Sequence, residues 1–119
     1  MASQESIDKQ SASHYVWGNG CDGWRLLTAD SWAVIEERIP PGSSEVRHYH
    51  QVARQFFYVL AGTLSFEIDG KELDLTPRQG VEIAPTVPHR AFNGSRGDVE
   101  FLVISCPPSH NDRIVSEKA

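Results

Sequence analysis

The sequence is short of cysteine, of clustered basic residues, of long apolar runs and of helical periodicity, and each shortage excludes something. Its two cysteines, Cys21 and Cys106, stand far apart with no C-x-x-C spacing, so neither a cysteine-rich zinc module nor a disulfide-stapled mini-domain fits. A single disulfide is compatible with the pair, but in a chain without a leader two such residues read as reduced thiols. The formal net charge is −5, and Arg47, Arg54, Arg78, Arg90 and Arg96 are scattered singly. Without a basic patch, neither nucleic acid nor an anionic membrane surface is an expected partner. No apolar stretch approaches the roughly 20 residues of a membrane span. The first residues, Met-Ala-Ser-Gln-Glu-Ser, lack the basic and apolar regions of a signal peptide. The expectation is a soluble, cytoplasmic protein.

What is present is β texture. At 119 residues the chain can bury one core and not two. Residues 1–13 are polar and read as a flexible N-terminal tail, 14–108 as one barrel domain, and 109–119 as a C-terminal tail with a short helical turn around Ser109 to Arg113. Between the tails, short β-prone runs alternate with turn signals. The expected strands are Trp24–Thr28, Ser31–Ile39, Val46–His50, Gln55–Ala61, Leu64–Ile68, Lys71–Leu75, Val81–Ala84, Pro88–Asn93 and Val99–Ser105. Pro40-Pro41-Gly42 ends one run, and Asp69-Gly70 is a two-residue hairpin signal. Ala33, Ile35, Glu37 and Ile39 share one strand face, with Trp32, Val34, Glu36 and Arg38 on the other. Neither face is cleanly polar, so the strand reads as covered on both sides. Many short strands at near-regular spacing imply an all-β sandwich or a closed barrel.

Three histidines and one glutamine carry the chemistry. His48 and His50 form H-x-H after the Pro40-Pro41-Gly42 turn, and residues two apart on a strand point the same way. His89 follows Val87-Pro88, and a later strand could bring it to the same point. Three imidazoles then suit a divalent transition metal, Fe, Mn, Zn, Ni or Cu, with Gln55 where a fourth ligand belongs. A glutamine keeps a carbonyl oxygen at the reach of a glutamate but removes its charge. Metal affinity should fall, and Lewis acidity toward a bound oxygen should rise. Gln55 could instead leave the coordination shell and orient a water through its amide.

The spacing of Gly42, His48, His50, Gln55 and Gly62 resembles the first motif of the cupin superfamily, which usually has glutamate at the position of Gln55. The stretch QGVEIAPTVPHRAFN resembles the second motif, with His89 at the third metal histidine and Asn93 four residues on. Gly80 and Pro85 fit that motif, and Thr86 replaces its usual glycine. Residues 42 to 93 are covered. The resemblance implies an all-β double-stranded β-helix, or jelly-roll β-barrel, with ligands lining its inside, a small molecule entering at its mouth, and homodimers. It implies no single reaction, because cupins include dioxygenases, isomerases, epimerases, lyases and non-catalytic binding proteins. Some thiol and diketone dioxygenase cupins have a similar three-histidine site, and some manganese-dependent lyase-type cupins a glutamine nearby. The expected function is therefore a metal-binding cupin acting on a small organic molecule, as a dioxygenase or an isomerase/lyase. The alternative is a non-catalytic binding or sensing cupin. The catalytic residues are unknown, because no general base is identifiable from the sequence.

Other conspicuous residues read structurally. Tyr49 alternates with the histidines and should face away from them. Phe57 and Val59 share the parity of Gln55 and should line the interior, whereas Phe56, Tyr58 and Leu60 would pack between sheet layers. Arg54 and Arg90 read as surface or interface residues, with binding of an acidic substrate group as the minority use. Glu36, Glu37, Glu67 and Glu82 read as solvated strand positions. Trp17 to Trp24, dense in glycine, reads as an aromatic plug with tight turns, or else as a rim offering tryptophan to a ligand. Cys106 and His110 are near one another in sequence, but the intervening Pro107-Pro108 leaves no shared geometry to infer.

Overall fold

The computed structural model describes residues 5–109 and 111–117, so His110 lies outside the described residues. Among the described residues, eleven strands run in chain order: β1 Ser13–Trp17, β2 Cys21–Thr28, β3 Ala33–Ile39, β4 His48–His50, β5 Arg54–Ala61, β6 Leu64–Ile68, β7 Lys71–Leu75, β8 Gly80–Ile83, β9 His89–Phe92, β10 Val99–Cys106 and β11 Arg113–Val115. One sheet has the order β1-β2-β3-β10-β5-β8 and the other β11-β4-β9-β6-β7, and every pairing is antiparallel. This is an all-β double-stranded β-helix. The closed barrel expected from the sequence is corrected to two facing sheets. The hydrogen-bonded ladders end at β1 and β8 in one sheet and at β11 and β7 in the other, and the chain crosses between the sheets through turns.

Alternation builds the core. Phe57 and Val59 of β5, Leu64 and Phe66 of β6, Ile83 of β8, Ala91 of β9 and Val99, Phe101 and Val103 of β10 point between the sheets and are buried. Burying such side chains contributes on the order of 2 kcal/mol each. Phe57 sits at the middle of this packing, edge-on to Phe66 at 4.8 Å and 6.0 Å from Phe101. The opposite parity of β5 does not pack between layers as expected. Phe56 is 39% and Leu60 42% exposed, and Tyr58 only partly buried, because no third layer covers this face of the sheet. Phe56 and Tyr58 stack on one another there, and Gly80 leaves room for the Phe56 ring. Asp69 and Gly70 form the β6–β7 turn, both with positive φ, as that turn type requires.

Two strands lie where the sequence suggested tails or turns. β1 pairs with β2 through Ser13↔Arg25 to Trp17↔Cys21, closing a hairpin over Gly18 and Gly20. Upstream, Lys9 bonds Glu36 at 2.9 Å, also reaches Glu100, and lies over the Trp24 ring. In the expected C-terminal tail, Arg113–Val115 forms β11 against β4, and just before it the Asp112 amide donates to the Ser109 carbonyl at 3.1 Å, closing a single hydrogen-bonded turn. Cys21 is buried and Cys106 exposed, and both are free.

Candidate metal centre

The ladder register brings the histidines together. His48 on β4 is directly opposite His89 on β9, and His50, two residues along β4, shares the face of His48. All three are buried, and one ligand nitrogen from each lies within 4.8 Å of the others. Ring centroids are 4.4 Å apart for His48 and His89, 5.0 Å for His48 and His50, and 5.8 Å for His50 and His89. Tyr49 lies between the two β4 histidines on the opposite face, beside Ile114, as alternation requires.

Hydrogen bonds orient the rings of His48 and His89. The Nδ1 atoms of His48 and His89 lie 2.7 Å from the Val46 carbonyl and 3.0 Å from the Val87 carbonyl, so each Nδ1–H donates and leaves the Nε2 lone pair free. His89 Nε2 is buried without a partner, and so is His50 Nδ1. Two orphaned imidazole nitrogens in one buried cluster are costly unless something binds them. Burial also pushes each histidine down to about 4, so all three are neutral at physiological pH, the form that ligates a metal. For His50 and His89 the neighbouring histidines add to the effect. The residues present fit a divalent metal ion.

Gln55, 6% exposed, is the second residue of β5 and lies on its inner face. Its Nε2 donates to Ser105 Oγ at 3.1 Å and Ser109 Oγ at 3.4 Å, and its Oε1 is buried and unpartnered. The two serines thus turn the amide so that its oxygen is the group left to offer. Asp112 ties the segment between His50 and Gln55 in place. Its carboxylate accepts from the amides of Gln51, Val52 and Ala53 at 3.1, 2.8 and 2.8 Å, and these bonds hold it below the usual carboxylate range. Asn93, 1% exposed, is structural: its amide donates to the Ile39 and Gly97 carbonyls at 2.8 Å each.

The turn before His89 carries strain. Thr86 has φ of +73°, the left-handed region that β-branched residues avoid, and its amide donates to the His50 carbonyl at 2.6 Å. Thr86→Gly relieves the side-chain clash and keeps that bond, at the cost of a more flexible unfolded chain. We expect it to raise stability by on the order of 1 kcal/mol, measured as a shift in the urea midpoint.

His48 and His50 open onto a cavity of about 550 Å³, which Gln55, Phe57, Trp17, Tyr15, Glu37, Glu45, Ser105, Arg25 and Arg113 also line. Trp17 thus belongs to the cavity wall, with its Nε1 donating to the Asp22 carbonyl at 3.2 Å, whereas Trp24 lies on the outer face under Lys9. The arginines beside candidate ligands are engaged elsewhere. Arg54 pairs with Glu82 at 3.0 Å, and Arg90 lies 3.8 Å from Glu67 and over the Phe92 ring. Glu37 corrects a sequence expectation, because it faces the cavity instead of solvent. Burial pushes it up to about 8, with the Glu45 charge adding and the Tyr15 hydrogen bond and Arg113 opposing. Glu45 is also held above its ordinary value by burial, against the pull of His89 and of the Ala91 amide that bonds its Oε1 at 3.0 Å. Glu37 was detectable as the one charge in an inward apolar face. Glu45, Ser105 and Arg113 carried no such signal.

Comparison with known proteins agrees with this geometry. The Cupin domain family model matches residues 35–105. Quercetin 2,3-dioxygenase of Bacillus subtilis (strain 168) is 29% identical over 89 residues, covering 63% of this chain and 26% of that protein. Polyketide synthase CurC of Streptomyces cyaneus is 36% identical over 64 residues, covering 54% of this chain and 40% of that protein. The chain thus spans less than half the length of these curated relatives. The polyketide cyclase RemF from Streptomyces resistomycificus superposes with a TM-score of 0.82 over 98% of this chain and 89% of its own, at 19% identity, a likeness of fold. With its family model spanning more than half of the chain and its three histidines on two paired strands, this protein belongs to the cupin family.

Proposed function

We propose that this cupin is a metal-dependent enzyme acting on a small, oxygen-bearing organic molecule held in the cavity. The observation that carries the reading is the buried cluster of three neutral imidazoles, with His50 Nδ1 and His89 Nε2 lacking partners, beside that cavity. His48, His50 and His89 would hold a divalent transition metal, with the Gln55 oxygen as a fourth or outer donor. When bound, the metal supplies Lewis acidity toward a carbonyl or phenolic oxygen, undiminished by any carboxylate among these donors. The protein's own groups bind and orient the molecule. Trp17 and Phe57 offer aromatic walls, and Arg25 and Arg113 offer positive charge at the rim. Two similar proteins, a quercetin 2,3-dioxygenase and a polyketide cyclase, favour a polyoxygenated aromatic or polyketide-like molecule. Of the two reaction classes expected, metal-assisted proton transfer is the better supported, because the cavity wall holds a carboxyl, Glu37, that changes protonation near neutral pH.

The test is elemental analysis of protein made without a chelating tag, followed by turnover of a polyphenol and 1,3-diketone panel with oxygen uptake recorded. Stoichiometric metal and product formation lost in His48→Ala support the enzyme. Saturable binding without turnover supports the binding or sensing reading, and absence of metal sinks both the site and the mechanism.

The neutral donor makes a further prediction. Gln55→Glu would place a charge beside the imidazoles, and Ser105 and Ser109 can rotate their hydroxyls to donate to it. Metal affinity should rise about tenfold, or ~1.4 kcal/mol, in competition with a chromophoric chelator. Equal affinity in the two proteins would place Gln55 outside the coordination shell.

A further inference from the structure

Within the cavity, one carboxyl group is held with more care than packing requires. Glu37 lies on β3 between Ile35 and Ile39, on the strand face that meets the cavity. Tyr15 of β1 donates its hydroxyl to Glu37 Oε2 at 3.2 Å. Tyr15 is itself fixed twice. The Arg25 guanidinium stacks 4.2 Å from its ring centroid, and the ring fills the space above Gly23, where a Cβ would sit 2.2 Å from Tyr15 Cζ.

A wall position does not need this arrangement. An apolar side chain, or the neutral amide, would fill the volume without desolvating an acid. The described ion pairs of arginine engage Arg38, Arg47, Arg54 and Arg90, and give Glu37 no cation within 4 Å. The charged and titratable groups facing it are Tyr15 from β1, Cys21 from β2, Glu45 from the segment before β4, and Arg113 from β11. Arg25 and Arg113 carry no ion pair among the described residues and line the same cavity.

We infer that Glu37 is the catalytic acid and base of this site, with Tyr15 as its positioning residue, and that the substrate is an aryl-bearing ketone with an acidic C–H beside its carbonyl. The inference rests on the proposed function above for what polarises the substrate oxygen. In the step, a Glu37 carboxylate oxygen takes the proton from the α-carbon. The C–H electron pair becomes the carbon–carbon double bond, and the carbonyl π pair moves to oxygen, giving an enolate. Glu37 then returns its proton to carbon and ends as it began. No oxidant or reductant is consumed. A cavity of about 550 Å³ holds a compound of one or two rings, and Trp17 and Phe57 give those rings a surface.

The experiment uses the full chain loaded with zinc and acetophenone as the probe, in deuterated water. Nuclear magnetic resonance follows deuterium entry into the methyl group from about pH 5 to about pH 9. Wild type should accelerate exchange, and Glu37→Gln should lower the rate on the order of 100-fold with zinc content unchanged. Glu36→Gln, on the other face of β3 and paired with Lys9, should exchange as wild type does. Tyr15→Phe removes a bond that favours the charged carboxylate, so the pH midpoint should move up. Gly23→Ala, which displaces the same ring, should move it the same way. No acceleration by wild type, or equal rates in wild type and Glu37→Gln, overturns the catalytic role. An unmoved midpoint in Tyr15→Phe overturns the positioning role.

A second measurement does not need zinc: the carbon-13 shift of the Glu37 carboxyl, titrated in metal-free protein. A midpoint near 8 supports the inference, and one in the ordinary carboxylate range overturns it even if zinc binds. Failure of wild type to load zinc counts against the metal reading instead.

Discussion

Replacing His89 by alanine is expected to remove most of the metal-dependent stabilisation while leaving the metal-free protein folded. His89 is 1% exposed, faces His48 across the β4–β9 ladder, and keeps one nitrogen without a partner. In metal-free protein, its removal opens a cavity near Phe57, whose ring centroid is 6.3 Å away. The same change removes an unsatisfied buried nitrogen, so the two effects oppose each other and the net change should stay within ~2 kcal/mol. Metal binding has no such offset. Losing an outer partner of a ligating histidine already costs roughly 10–100-fold, and losing the ligand itself should exceed ~100-fold. At a metal concentration 100 times the wild-type dissociation constant, wild type gains about 2.7 kcal/mol of stability, and the variant would gain about 0.4 kcal/mol. Urea unfolding with and without zinc reads the difference. Tyr49→Phe, between the two β4 histidines on the other face, is the control and should keep the full metal-dependent gain. An equal gain in His89→Ala would mean that these imidazoles do not form the site.

The histidine cluster was legible in the sequence because it follows from two local rules. Period-two alternation puts His48 and His50 on one face, and the turn signals around Gly80 and Pro85 mark a later strand that could carry His89. The ladder that sets His48 opposite His89 is a tertiary fact that alternation can only permit. Strands with clean alternation were legible in the same way, as in Leu64–Ile68 and Lys71–Leu75 on either side of Asp69-Gly70. β1 and β11 were not. Ser13–Trp17 is an edge strand with three of its five residues exposed, and Arg113–Val115 has three residues and one neighbour, so neither has a fully buried residue to anchor a pattern. Whether the sheets close into a barrel is illegible for a related reason, since pairing between edge strands leaves no mark on composition. These two illegible strands supply Tyr15 and Arg113, both on the cavity wall. Alternation places Glu37 on one face with Ile35 and Ile39, while the general preference of carboxylates for solvent points the other way. A charge on an otherwise apolar inward face carried more information than its residue type.

Glu37→Gln should stabilise the metal-free protein, and the gain should grow with pH. Glu37 is raised to about 8 in the folded state from an ordinary value of 4.5. Its protonated form therefore favours folding; that contribution is complete below about pH 4.5 and lost as pH rises through about 8. The amide keeps an oxygen that can accept from the Tyr15 hydroxyl and never ionises. The difference between variant and wild type should thus be near zero at about pH 4.5 and level off above about pH 8. The full shift would correspond to ~4–5 kcal/mol, and water in the cavity reduces the expected plateau to on the order of 2 kcal/mol. The histidines act with the opposite sign. His48, His50 and His89 are lowered to about 4 from 6.5, so their contribution is present above about pH 6.5 and lost as pH falls toward 4. From these groups, metal-free wild type should be most stable near neutral pH, falling on both sides, and Glu37→Gln should lose only the alkaline fall. Urea midpoints measured across this range separate the two limbs. A pH-independent difference would mean that Glu37 ionises as freely folded as unfolded, and the cavity would then hold no tuned acid. A carboxyl whose neutral isostere strengthens the fold is one whose proton serves the cavity and not the core.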